Sequence, residues 1–103
     1  MKNDTKRYVG INNEINAGMT DTAKIIRDAW AFGILAESET CENWTMQGLQ
    51  DLWDKVNARW GEYGFKVQNL PDDIRERFDR IQEDAVKQAR LSGWDPDRDI
   101  QED

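Results

Sequence analysis

Residues 69–94, NLPDDIRERFDRIQEDAVKQARLSGW, carry the clearest structural pattern in the chain. Apolar residues recur here at steps of three and four, which places them on one face of an α-helix. Pro71 suits the first helical turn, and Gly93 favours the left-handed conformation that ends a helix. Burying each large apolar side chain stabilises the fold by roughly 1.5–3 kcal/mol, so this stripe decides how the helix docks. The stripe consists of Ile74, Phe78, Ile81, Ala85 and Ala89.

The charged residues of the same segment support a helix. Asp72 and Asp73 lie where the positive end of the helix dipole favours acids. Glu76 precedes Arg80 by four residues, and Glu83 precedes Lys87 by the same step. Such pairs are expected to form surface ion pairs worth ~0.2–0.5 kcal/mol each.

A second helical pattern covers residues 20–37, TDTAKIIRDAWAFGILAE. Thr20 or Asp21 is suited to cap its start. Ala23, Ile26, Trp30 and Ile34 form a stripe that neighbouring apolar residues widen to most of the circumference. A helix that is apolar nearly all round is buried on several sides, so this one is predicted to be central.

A third helix is predicted from Met46 to about Trp60, with Thr45 as its cap. Gly61 and Gly64 follow and supply the left-handed conformations that end helices. Short connections between three such helices favour an all-α fold, a small three-helix bundle over residues 20–94. An acidic tail is expected over residues 95–103.

Residues 1–19 are predicted to form an extended N-terminal arm. Its segment RYVGINNEINAG contains three Asn, two Gly and scattered apolar residues, of which Tyr8, Val9, Ile11 and Ile15 can anchor the arm. A short strand over residues 7–11 would need a partner, for which a second subunit is one source.

Composition limits the classes of function. The chain has 103 residues, with 14 basic against 21 acidic ones and a net charge of -7. This balance repels phosphate backbones, so no nucleic-acid partner is expected, and a protein with a basic surface is the more natural one. No apolar run is long enough to span a bilayer, and the start lacks a signal-peptide core, so the expected location is cytoplasmic with no membrane partner.

The inventory of chemical groups points away from catalysis. The chain contains no histidine, so neither a Ser-His-Asp nor a Cys-His arrangement exists within it. Asp95, Asp97 and Asp99 alternate as in a calcium loop, but the sixth position is Ile100 and the chain stops before a twelfth. No catalytic residues, no metal site and no cofactor are therefore predicted.

Cys41 is the single cysteine, which excludes an internal disulfide. A reactive thiol needs a lowered pKa, yet Glu39 and Glu42 flank Cys41 with negative charge. Its position just before a helix N-terminus, by contrast, favours a lowered thiol pKa. Two interpretations stay open, a buried inert thiol and a reactive one.

Aromatic and amide side chains are the candidate interaction residues. Trp30, Trp53 and Trp60 fall on apolar helix faces and are predicted to pack in the core. Trp44 and Trp94 lie at element boundaries, where an aromatic residue either anchors a partner or pins a loop to the bundle. The predicted interaction residues are Tyr8, Asn12, Asn13, Trp44 and Trp94.

Two functional hypotheses follow. The first is a non-catalytic protein-interaction module, an accessory or regulatory subunit that binds a larger protein through acidic and aromatic surface. The alternative is a sensor or enzyme component that uses the Cys41 thiol or a ligand pocket lined by Trp30, Trp44 and Trp53. The arm and the wide apolar face of the first helix also make a homodimer plausible.

Overall fold

The computed structural model describes residues 7–14 and 18–93, which contain three α-helices: α1 (Asp21–Phe32), α2 (Met46–Glu62) and α3 (Asp72–Leu91). The same described ranges include two single turns of 3-10 helix, at Ile11–Asn13 and Val67–Asn69. The predicted all-α three-helix bundle is confirmed. Predictions that concern Ile15, Trp94 and the tail 95–103 lie outside the described residues. None of the described helices has the length and apolar character that crossing a bilayer requires.

α1 is the central helix, as its all-round apolar pattern predicts. It packs against both α2 and α3 and buries Ala23, Ile26 and Ala29 completely. The three helices meet at aromatic rings, because Trp60 of α2 contacts Phe32 and Phe78 edge-on at centroid distances of 5.2 and 5.8 Å. This geometry is the one that aromatic pairs prefer.

Glycines end α1 and α2, although not where the apolar pattern indicates. α1 stops at Phe32 because Gly33 adopts a left-handed φ of 75°, and the Ile34 N–H then donates to the Ala29 carbonyl at 2.9 Å. The extension of this helix to residue 37 was therefore wrong, although Ile34 still packs against the core. Gly61 lies within α2, and Gly64, with φ 65°, is the glycine that follows its end.

The charges of α3 pair differently from the prediction. Neither Glu76–Arg80 nor Glu83–Lys87 forms an ion pair in the described part of the chain. Arg80 instead extends to Glu37, before α2, with an N–O distance of 2.8 Å. A partner from a packed neighbouring segment thus replaces the partner from the same helix.

The described part of the arm pairs with the segment that leads into α2. The Tyr8 N–H donates to the Trp44 carbonyl at 3.0 Å, and the Asn43 N–H donates to the Tyr8 carbonyl at 2.9 Å. A single antiparallel bridge joins Arg7 to Thr45, and Ile11 already belongs to the 3-10 turn. The short strand predicted over residues 7–11 is thus reduced to a bridge. Its partner comes from the same chain, not from a second subunit.

Candidate functional site

A cleft of about 220 Å³ opens between the arm, α1 and α3. Its apolar lining comes from Ile11, Trp30, Ile81 and Ala85. The remaining lining residues are Asn12, Gly18, Arg27, Glu37, Arg80, Asp84 and Gln88. Pockets for drug-sized ligands hold ~300–1,000 Å³, so this cleft matches a smaller group, of the size of a side chain.

Arg27 is the unusual member of this lining, because only 4% of the residue is exposed. Its Nη1 donates to the Gly18 carbonyl at 2.6 Å, whereas its buried Nε has no acceptor among the described residues. No carboxylate of the described residues lies within 4.0 Å of the guanidinium. Burial lowers the pKa of Arg27, and the negative charges of Asp28 and Glu14 act against that shift.

Glu14 ties the arm to the start of α1. Its carboxylate accepts hydrogen bonds from the Tyr8 hydroxyl and from Thr20 Oγ1, the latter at 2.8 Å. Thr20 Oγ1 also accepts from the Ala23 N–H at 3.1 Å, which caps α1. Burial and the neighbouring Glu14 carboxylate raise the pKa of Tyr8. These polar groups hold the arm in place beside the cleft.

Asp28 makes the corresponding contact between α1 and α2. Its Oδ2 accepts a hydrogen bond from Trp60 Nε1 at 3.0 Å. Burial raises the pKa of Asp28, while the Trp60 hydrogen bond and the Arg27 charge lower it. A carboxylate held in this way stabilises the packing of two helices.

Cys41 lies in the interior, with no exposed surface. Its N–H donates to Glu39 Oε2 at 2.9 Å, and its backbone φ is 63°. Burial, followed by the charge of Glu39, raises the pKa of the thiol from 9.0 to about 11. A thiol that stays protonated and out of contact with solvent is a poor nucleophile, so the geometry favours the packing interpretation.

The other predicted interaction residues occupy different settings. Asn12 is exposed and lines the cleft, whereas the exposed Asn13 donates from Nδ2 to the Val9 carbonyl at 2.9 Å. Tyr8 and Trp44 are half-buried neighbours that pack against the core. Their roles as interaction residues stay predictions, and Trp94 lies outside the described residues.

Of the three residues of the predicted tryptophan pocket, Trp30 lines the cleft, but Trp44 and Trp53 do not. That pocket stays a prediction. The sequence reasoning also missed Arg27, although a signal was present: this arginine follows the fully buried Ala23 by one helical step on an apolar helix. A charged residue at such a position indicates either a buried polar contact or a site.

Among the residues that the structure describes, four large apolar side chains are strongly exposed, namely those of Val9, Met46, Phe65 and Leu91. Phe65 stands out because 65% of it is exposed while its backbone adopts a left-handed φ of 58°. A bulky residue in that conformation is a genuine outlier. The sequence reasoning did not single out this residue.

Within the described ranges, no group of three or more Cys, Asp or Glu side chains is arranged to hold a metal ion. No protein-family model matches the chain, and neither a curated protein nor a solved structure matches it. The function is therefore argued from the chain's own geometry.

Proposed function

We propose that this chain is a non-catalytic protein-interaction module, an accessory or regulatory subunit that binds a larger protein through acidic and aromatic surface. The observation that carries the proposal is Phe65, an exposed aromatic residue held in a strained backbone conformation. A cytoplasmic location belongs to the same proposal.

A smaller residue at position 65 would stabilise the fold about as well as Phe65 does. It follows the left-handed Gly64, and its N–H donates to the Trp60 carbonyl at 3.0 Å, a bond that any residue but proline can make. The left-handed conformation costs a non-glycine residue roughly 1–2 kcal/mol, and burial of the ring offsets little of that cost. Strain of this kind clusters at functional positions. An exposed aromatic ring is also a typical anchor in protein interfaces.

The charge distribution supports a protein partner with a basic surface. The net charge is -7, although on α3 the exposed acids Asp72, Asp73, Glu76, Glu83 and Asp84 are interspersed with the exposed bases Arg75, Arg80, Lys87 and Arg90. The net negative charge speeds encounter with a cationic partner and makes the association rate sensitive to salt. The same charges oppose binding to a nucleic-acid backbone.

The contacts that the part-buried and buried ionisable groups make within the fold support a non-catalytic role. Glu14 joins the arm to α1, Asp28 joins α1 to α2, and Cys41 is enclosed in the core. Each of these groups has a contact that stabilises the fold. A general acid or base needs to reach a substrate proton, whereas Glu14 and Asp28 are engaged in hydrogen bonds within the fold and Cys41 is enclosed.

The experiment compares tagged wild-type protein with Phe65→Asn in native lysate of the source organism, at low and moderate salt. Asparagine tolerates the left-handed conformation, so the variant keeps the turn and loses the ring. We expect one protein to co-purify with the wild type at a stoichiometric level. Phe65→Asn should weaken that complex by 2 kcal/mol or more, about 30-fold, as for an interface hot spot.

The matched control is Lys66→Asn, which changes the next exposed residue and leaves the ring in place. This control should retain the partner. Light scattering on the purified chain distinguishes a homodimer from a complex with a larger protein. A wild-type protein that captures nothing stoichiometric at either salt concentration contradicts the proposal.

A further inference from the structure

We infer that the cleft between the arm, α1 and α3 binds an uncharged peptide segment of a protein partner: one apolar side chain together with its neighbouring backbone carbonyl. This inference rests on the proposed function, because it names the chemistry that the partner presents. Phe65 does not line the cleft, so the inference and the proposed function can be tested separately.

The size and apolar lining of the cleft suit a single side chain. The volume of about 220 Å³ is enclosed in part by Ile11, Trp30 and Ile81. Interface hot spots consist of such anchors in well-packed pockets, surrounded by contacts that exclude water. The asparagine and glutamine amides of Asn12 and Gln88 belong to the same lining, and each offers both a donor and an acceptor to a peptide backbone.

The hydrogen-bond donors of Arg27 are the reason why we expect a carbonyl group of the partner in the cleft. Its guanidinium carries five N–H donors, yet the described residues provide one acceptor, the Gly18 carbonyl. Nε is fully enclosed, so the donors that a group in the cleft can reach are those of the Nη atoms. Gly18 itself lines the cleft, which places the Nη1 end of the guanidinium at its wall. A carbonyl oxygen that enters there gives the guanidinium a further acceptor.

The charges around the cleft exclude a strongly charged occupant. Arg27 and Arg80 among the lining residues are balanced by Glu37 and Asp84. Arg80 is already paired with Glu37, and the negative charges of Asp28 and Glu14 act on Arg27 against the effect of its burial. A carboxylate in the cleft would therefore gain no net electrostatic attraction, and a cation would be repelled by the buried guanidinium of Arg27. An uncharged amide meets neither obstacle.

Nuclear magnetic resonance titration of the full chain with three matched probes tests the inference. The probes are N-acetyl-phenylalaninamide, which is neutral, N-acetyl-phenylalanine, which is anionic, and phenylalaninamide, which is cationic. We expect the neutral probe to bind with a Kd on the order of 1 mM, as its size allows. It should shift the Trp30 indole and the side-chain amides of Asn12 and Gln88. The charged probes should bind at least about 5-fold more weakly.

Variants of α3 locate the binding. Ala85→Trp fills the cleft, and Gln88→Trp, at an exposed lining position, gives the same test if the first variant does not fold. Either folded variant should abolish the shifts. Glu83→Trp places the same ring at an exposed position of α3 outside the lining and should leave them unchanged.

The inference is overturned if the neutral probe gives no saturable shifts at the cleft, if a charged probe binds more tightly, or if blocking variants keep the shifts. Should the probe fail while Phe65 still determines capture of a partner, the cleft inference alone is lost. Should the probe bind as expected while no partner co-purifies, the proposed function is lost and the cleft remains a binding site.

Discussion

Trp60 Nε1 donates a hydrogen bond to Asp28 Oδ2 across the interface of α1 and α2, at 3.0 Å. The same indole contacts Phe32 and Phe78, so one residue joins all three helices. The hydrogen bond satisfies a carboxylate that burial would otherwise penalise.

Trp60→Phe should destabilise the protein by ~1–3 kcal/mol, because the Asp28 carboxylate loses its donor while it stays buried. The measurement is urea denaturation followed by far-ultraviolet circular dichroism. Pairing the change with Asp28→Ala, which removes the acceptor, in a double-mutant cycle isolates the hydrogen bond from the loss of aromatic packing. A coupling free energy indistinguishable from zero would show that the two side chains act independently.

Asp28 should also affect how stability depends on pH. Burial raises its pKa in the folded protein above the ordinary value of 3.8. Stability from this group is therefore fully present below that value and is lost as pH rises through the raised pKa. Asp28→Asn keeps an acceptor for Trp60 and cannot ionise. Its stability relative to the wild type should increase between pH 4 and neutral pH, and a constant difference over that range would contradict the assigned shift.

Cys41 should influence stability at alkaline pH. Its pKa of about 11 in the folded protein exceeds the ordinary 9.0, so its contribution is fully present below pH 9 and is lost as pH rises to about 11. The shift corresponds to ~2–3 kcal/mol. Cys41→Ala should show a shallower fall in unfolding free energy over this window. Iodoacetamide should label the wild type rapidly only in denaturant, and equal labelling of the folded protein would contradict burial of the thiol.

Substitutions at two residues with left-handed backbone conformation, Gly33 and Phe65, should change the free energy of unfolding in opposite directions. A Cβ at Gly33 meets nothing within 4 Å, so Gly33→Ala tests backbone strain alone and should cost ~1–2 kcal/mol. Phe65→Asn should raise the unfolding free energy by ~0.5–1 kcal/mol, because asparagine tolerates the same conformation. Thermal unfolding of the two variants checks both. A destabilised Phe65→Asn would mean that the ring supports the fold, which would weaken the argument for an interface role.

The sequence predicted α3 well because its stripe, capping residues and terminal glycine all agree. α1 was extended too far because Ile34 and Leu35 continue the apolar pattern beyond Gly33, and both still pack against the core without being helical. Hydrophobic periodicity reports which residues are buried, and it does not distinguish a helix from a loop that folds onto the same core.

The cleft was not predictable from local patterns. Asn12, Arg27 and Gln88 come from the arm, α1 and α3, and only the packing of these elements brings them together. Arg80 shows the same limit, because its helical spacing indicates Glu76 whereas its actual partner is Glu37. The sequence singled out Asn12 as an amide of the arm, but it does not indicate which residues of the other elements lie beside Asn12.

The pairing of Tyr8 with Trp44 has a thermodynamic consequence. Ile11 and Asn12 form one wall of the cleft, and the hydrogen bonds to Trp44 and Thr40 hold that wall in position. If the arm detaches in a local opening, the cleft loses this wall. Occupancy of the cleft and closure of the arm are therefore linked equilibria, so a bound peptide should slow hydrogen exchange at the Tyr8 and Ile11 amides.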